Sequence, residues 1–68
     1  MKITSIITTE SFNPAVGYTF DIRLLNGAVI EETTNSLLEK FTDHEDEILE
    51  GGTNLGFLVG KEFKDEWF

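Results

Sequence analysis

Alternating apolar and polar positions predict strands in the first half of the chain. Residues 1–9 are rich in isoleucine and threonine, a composition typical of a β-strand. Pro14 follows inside a polar stretch and predicts a loop over residues 11–17. From residue 18 to residue 24 every second side chain is apolar, which predicts a second, half-buried strand.

The dipeptide Asn26-Gly27 predicts a hairpin, and the pattern on either side decides its register. A two-residue loop would place Ile22 opposite Glu31 and put a carboxylate on the apolar face. A three-residue loop with a left-handed Gly27 pairs Ile22 with Ile30 instead. Because a slip of one residue turns every side chain to the other face, we expect the three-residue loop.

Helix signals begin after the third strand. Ser36 with Glu39, and Thr42 with Glu45, both match the capping-box pattern. On one continuous helix Glu45 would lie in the middle of the apolar arc. A break near Thr42 removes this conflict and makes Glu45 the capping residue of a second short helix. Gly51-Gly52 predicts the end of the helical region.

The last part of the chain is apolar and aromatic. Residues 55–59 predict a final strand, and residues 61–68 a short tail. The tail aromatics expected to dock on the core are Phe63, Trp67 and Phe68. The order of elements predicts one α+β domain: a small antiparallel sheet of three or four strands, with one kinked helix or two short helices packed on one face.

Length and charge narrow the possible functions. The chain has 68 residues, no cysteine and a formal net charge of −8. Such a charge argues against direct contact with nucleic acid, whose phosphates require lysine and arginine, and favours a basic partner. The N-terminal residues are too polar for a signal peptide, and no apolar run is long enough to span a membrane. We therefore expect a soluble, cytoplasmic protein.

The sequence contains little that supports catalysis or metal binding. With no cysteine, one histidine and no nucleophile elbow, covalent catalysis is not expected. Asp43, Glu45 and Glu47 are spaced like the first ligands of a calcium loop. However, Ile48 stands where that loop requires glycine, and Asn54 where it requires glutamate. We expect no enzyme activity, no metal, no cofactor and no small-molecule substrate.

Carboxylates are the remaining candidate chemistry. On a continuous helix one outward arc would contain Glu39, Asp43, Asp46, Glu47 and Glu50, although neighbouring like charges destabilise a helix. The candidate partner-binding residues are Glu31, Glu32, Glu39, Asp43, Asp46, Glu47 and Glu50. The alternative is that acids in the first turn stabilise a second helix and that the others only keep a small protein soluble.

The N-terminal third of the chain resembles a known family. The segment TSIITT at residues 4–9, an Asn-Pro-bearing loop and the segment GYTF at residues 17–20 resemble the opening of a small phage-encoded anti-CRISPR family that acts on type I systems. In that family acidic side chains imitate DNA and occupy basic residues of the surveillance complex, usually on the subunit that reads the protospacer-adjacent motif. The resemblance implies that the acids of this chain bind such a surface, and it adds Asp21 to the candidate partner-binding residues.

Two other functions stay open. The chain could be a small phage or bacterial interaction module that pairs through a sheet edge or through exposed C-terminal aromatics, without DNA mimicry. It could also be a small metal-dependent hydrolase that uses the carboxylate cluster. The leading hypothesis is an inhibitor without enzymatic activity that blocks target DNA from a basic DNA-binding surface.

Overall fold

Three antiparallel strands form a meander in the order β1-β2-β3, and two short helices follow them in the chain. The computed structural model describes all residues, Met1–Phe68. The elements are β1 (Ile3–Asn13), β2 (Gly17–Leu24), β3 (Val29–Thr33), α1 (Thr34–Lys40), a 3₁₀ turn (Thr42–His44), α2 (Glu45–Gly51) and two further 3₁₀ turns (Gly56–Leu58 and Asp65–Trp67). The architecture is α+β, as predicted. None of the helices has the length and apolar character needed to cross a membrane.

The hairpin between β2 and β3 has the predicted three-residue loop. Ile22 pairs with Ile30, so the apolar side chains of both strands share one face. The N–H of Gly27 donates to the carbonyl of Leu24 at 2.9 Å, and Gly27 has a φ of +88°. Leu24 in turn donates to the carbonyl of Ala28 at 2.8 Å. A left-handed glycine closes the loop because residues with a Cβ are strained in this conformation.

The hairpin between β1 and β2 is longer than predicted. β1 continues to Asn13, with shifts in its pairing register, and only residues 14–16 form the turn. Gly17 starts β2 with a φ of +87°, and a Cβ there would lie 2.4 Å from the Cβ of Thr34. Thr34 also accepts a hydrogen bond on Oγ1 from the N–H of Tyr18 at 2.8 Å. This turn therefore packs directly on the start of α1.

The predicted break in the helical region is confirmed, but both predicted capping boxes are wrong. The box that forms joins Thr33 and Ser36: the Ser36 N–H donates to Thr33 Oγ1 at 3.2 Å, and the Thr33 N–H donates to Ser36 Oγ at 2.7 Å. Because β3 runs directly into α1, the last strand residue is already extended and serves as the N-cap. No side chain caps α2, so Glu45 does not have the predicted role. The helical region ends at Gly51, as expected.

The predicted fourth strand at residues 55–59 is wrong. A 3₁₀ turn forms there, and Leu55 and Leu58, three residues apart, are both buried. Side chains at this spacing lie on one side of a 3₁₀ turn, so the apolar run fills the core without pairing to the sheet. The chain then passes beside the start of β1, where the Ile3 N–H donates to the Lys61 carbonyl at 2.9 Å.

The core lies between one face of the sheet and the layer formed by the helices and the C-terminal segment. Its buried side chains are Ile3, Phe20, Ile22, Leu24, Leu37, Phe41, Ile48, Leu55, Leu58 and Phe63. Docking of the tail is confirmed for Phe63, which is fully buried, and for Trp67, whose ring centroid lies 4.9 Å from that of Phe41. Phe68 is instead 63% exposed, so the expectation that it docks on the core is wrong.

Candidate partner-binding surface

The outer side of α2 carries three carboxylates. Ile48 is fully buried, and at about 100° per residue Asp46 and Glu50 lie on the opposite side of the helix, four residues apart. Glu47 lies next to Glu50 on the same outer side. All three acids are exposed. We call Asp46, Glu47 and Glu50 the α2 acidic patch.

No lysine or arginine neutralises this patch. The chain has three ion pairs, which join the N-terminal ammonium to Glu62, Lys40 to Glu32, and His44 to Glu47. The His44 Nδ1 lies 3.0 Å from Glu47 Oε1, and this contact is an ion pair only when the imidazole is protonated. The carboxylates of the α2 acidic patch therefore repel one another without a permanent cation among them.

Part of this charge has a structural explanation. Glu47 and Asp46 stand in the first turn of α2, where the positive end of the helix macrodipole stabilises anions. Glu50 stands in the last turn, and the macrodipole disfavours an anion there. Glu50 is thus the member of the patch that helix stability does not explain.

The single arc of acids that a continuous helix would give does not form, because the helix breaks between Lys40 and Glu45. Glu39 belongs to α1 and is exposed. Asp43 is also exposed, but it belongs to the 3₁₀ turn and lines a depression that contains three lysines. Neither residue extends the α2 helix face, and Asp43 lies in much more basic surroundings than the patch does.

Asp21 and Glu31 form a separate acidic site on the open face of the sheet. They pair directly across β2 and β3, next to Ile22 and Ile30, whose side chains point to the core face. Asp21 is half-buried and Glu31 is exposed. Like charges opposite each other destabilise a sheet, and Arg23, two residues further along β2, lies on the same face. The sheet separates these two acids from the helices, so they do not join the α2 acidic patch.

Glu32 does not belong to any exposed surface. Its side chain is 6% exposed, and the Lys40 Nζ lies 2.9 Å from its Oε1. Glu32 follows Ile30 by two residues in β3, so strand alternation turns it to the core face. Lys40, at the end of α1, reaches back and neutralises it. We therefore remove Glu32 from the partner-binding candidates.

The sequence interpretation missed Lys40 as a structural residue. A buried carboxylate requires a partner, and Lys40 is the first basic residue that follows Glu32 in the chain. The position of Lys40 after Glu32 in the sequence and the alternation of side chains in β3 could together have predicted the Glu32–Lys40 ion pair.

No group of three or more His, Cys, Asp or Glu side chains is placed to hold a metal ion. No protein-family model, curated protein or solved structure matches this chain. The candidate surface is therefore defined by its own geometry: an exposed, uncompensated α2 acidic patch, with a second pair of acids on the open face of the sheet.

Proposed function

We propose that this chain is a binding protein without enzymatic activity, and that its α2 acidic patch docks on a basic surface of another protein. The observation that carries this proposal is the placement of Glu50. It is exposed, it has no cationic partner, and it lies at the helix end that disfavours it. A basic partner surface would offset the repulsion that the free chain retains.

The partner we propose is a DNA-binding surface. Glu50 lies three residues after Glu47 and four after Asp46, which separates it from them by about 4.5–6 Å along the helix axis, a spacing of the same order as that of phosphates along a DNA strand. The resemblance at residues 4–20 directs the proposal to a type I CRISPR surveillance complex, and within it to the subunit that reads the protospacer-adjacent motif. The chain would act in the cytoplasm of the host cell and compete with target DNA.

The test is a charge reversal on one side of the molecule with a matched reversal on the other. The first variant carries Asp46→Lys, Glu47→Lys and Glu50→Lys. The control carries Asp21→Lys and Glu31→Lys on the open sheet face. With a purified type I surveillance complex, binding of target DNA is measured at increasing concentrations of each variant. We expect the α2 variant to lose inhibition roughly 100-fold, and the control to retain most of it.

Salt provides an independent measurement of the same mechanism. The affinity of the unmodified chain for the complex should fall steeply between low and physiological ionic strength, because exposed charges are screened beyond about 10 Å at 0.1 M salt. A folded α2 variant that inhibits as well as the unmodified chain would refute the patch as the docking surface. Affinity that is independent of salt would refute it as well.

The open face of the sheet supports a second candidate, an interaction module without DNA mimicry. Ile7 and Val29 are 57% and 51% exposed. They pair with Asp21 and Arg23 respectively, so both lie on the sheet face that the helices leave uncovered. The sheet-face variant Ile7→Ser with Val29→Ser separates the two candidates. If it abolishes binding while the α2 variant binds normally, the module function replaces the inhibitor proposed above.

A further inference from the structure

Three of the five basic residues of the chain line a single depression. Lys40 contributes from the end of α1, and Lys61 and Lys64 from the C-terminal segment. The depression has a volume of about 230 Å³, and its two apolar lining side chains are Phe41 and Trp67. We call it the lysine pocket. His44, Thr42, Asp43 and Glu62 complete its lining.

The lysine pocket has an excess of basic side chains, whereas the rest of the molecule has an excess of acidic ones. Its lining contains three lysines and two acids, whereas the remainder of the chain has two basic residues and eleven acids. An anion is repelled by the overall charge, and a local excess of positive side chains is the place where it can be held. The charge balance of the pocket lining is therefore opposite in sign to that of the remaining chain taken together.

The lysines of the pocket keep donors for a ligand. Lys61 and Lys64 are exposed, and neither forms an ion pair within the chain. The Lys64 Nζ lies 5.5 Å from the centroid of the Trp67 ring, and such a cation–π contact leaves the ammonium hydrogens free to donate. Lys40 binds Glu32, but an ammonium has three donors and this contact engages only one of them.

The two acids of the lining differ in their effect. The carboxylate of Glu62 is bound by the N-terminal ammonium. Asp43 is exposed and has no ion-pair partner. Asp43 is therefore the carboxylate that opposes an incoming anion, and removing its charge should strengthen binding.

We propose that the lysine pocket binds a small molecule or group with an oxyanion, a phosphate or a carboxylate, between the ammonium groups of Lys61 and Lys64. The exposed part of Trp67 would contact the rest of the ligand. This binding uses no residue of the α2 acidic patch, so it stands whether or not the inhibitor function is correct.

Trp67 makes the test direct, because it is the only tryptophan of the chain and it lines the pocket. The full chain is titrated with pyrophosphate in one series and citrate in another, each with sodium chloride matched for ionic strength. Tryptophan fluorescence should change in a saturable way with at least one of the two anions. The series with the lower midpoint identifies the phosphate or the carboxylate as the preferred group.

Three variants locate the binding. Lys61→Gln should raise the midpoint about tenfold, since a charge-assisted hydrogen bond is lost. Lys2→Gln removes an exposed lysine outside the pocket and should leave the midpoint unchanged. Asp43→Asn should lower the midpoint severalfold. Circular dichroism checks that each variant is folded.

Two results would overturn this proposal. One is a fluorescence change with neither anion beyond that of the chloride control. The other is a response that the Lys61→Gln and Asp43→Asn variants share unchanged with the original chain, because the anion would then bind elsewhere.

Discussion

Glu32 in β3 and Glu50 in α2 carry the same charge, yet their surroundings are opposite. Glu32 is buried on the core face and bound by Lys40 at 2.9 Å, whereas Glu50 is exposed and has no cationic partner. The strand carboxylate thus contributes to the fold as one half of an ion pair. The helix carboxylate lies in the last turn of α2, where the macrodipole disfavours an anion, so it does not stabilise the fold. The number of acidic residues therefore does not by itself indicate a binding surface. Each acid must first be identified as buried and paired, like Glu32, or as exposed and unpaired, like Glu50.

Removal of the buried carboxylate should have the largest effect on stability. Glu32→Ala leaves the Lys40 ammonium largely buried without its partner, which costs about 3 kcal/mol of unfolding free energy. Glu31→Ala, one residue away on the open face, should change it by about 0.5 kcal/mol or less. Urea denaturation of both variants checks the comparison. Equal losses would mean that Lys40 does not depend on Glu32.

Gly17 tests the contact that joins the sheet to the helical layer. Gly17→Ala should cost about 2 kcal/mol or more, because a Cβ would collide with Thr34 in addition to straining a left-handed backbone. Gly27→Ala is the matched control, since its φ is also left-handed but a Cβ there meets nothing within 4 Å. The difference between the two losses measures the collision alone. A loss at Gly17 no greater than that at Gly27 would show that the turn moves away from α1 freely.

The smallest expected effect concerns Glu50, and it has the opposite sign. Glu50→Gln removes an anion from the last turn of α2 and its repulsion with Asp46, so the unfolding free energy should rise by about 0.5 kcal/mol. Asp46→Asn relieves the same repulsion but loses a favourable charge in the first turn, so it should gain less. Thermal unfolding at low ionic strength measures the stability changes of both variants. If Glu50→Gln is less stable than the original chain, the carboxylate has a structural role and the argument for a partner is lost.

The sheet was predictable where local signals and alternation agreed. Asn26-Gly27 and the apolar positions of β2 lead to the observed register of the second hairpin. The same alternation, carried two residues beyond Ile30, places Glu32 on the core face. We instead assigned Glu32 to the surface from its charge, and this assignment is wrong because Lys40 makes its burial possible.

The helical and C-terminal parts were harder to predict. The break near Thr42 follows from the conflict that Glu45 creates on a continuous helix. The capping box that forms was not predicted, because its second side chain comes from Ser36, at a position where the pattern requires Glu or Gln. The apolar run at residues 55–59 is short, and periodicity alone does not distinguish a strand from a buried turn. The lysine pocket depends on tertiary structure, although Lys61, Lys64 and Trp67 at intervals of three residues hint at a shared side.

The contact between Ile3 and Lys61 has a consequence for how the chain folds during synthesis. It joins segments separated by almost the whole sequence, and Phe63, just beyond it, fills part of the core. A ribosome that has translated only as far as α2 holds a nascent chain whose first strand lacks this neighbour and whose core is incomplete. Cooperative folding should therefore wait until the segment with Lys61 and Phe63 is available to the sheet, and should be slower than that of a helical bundle of equal length, because contacts of long sequence separation form late.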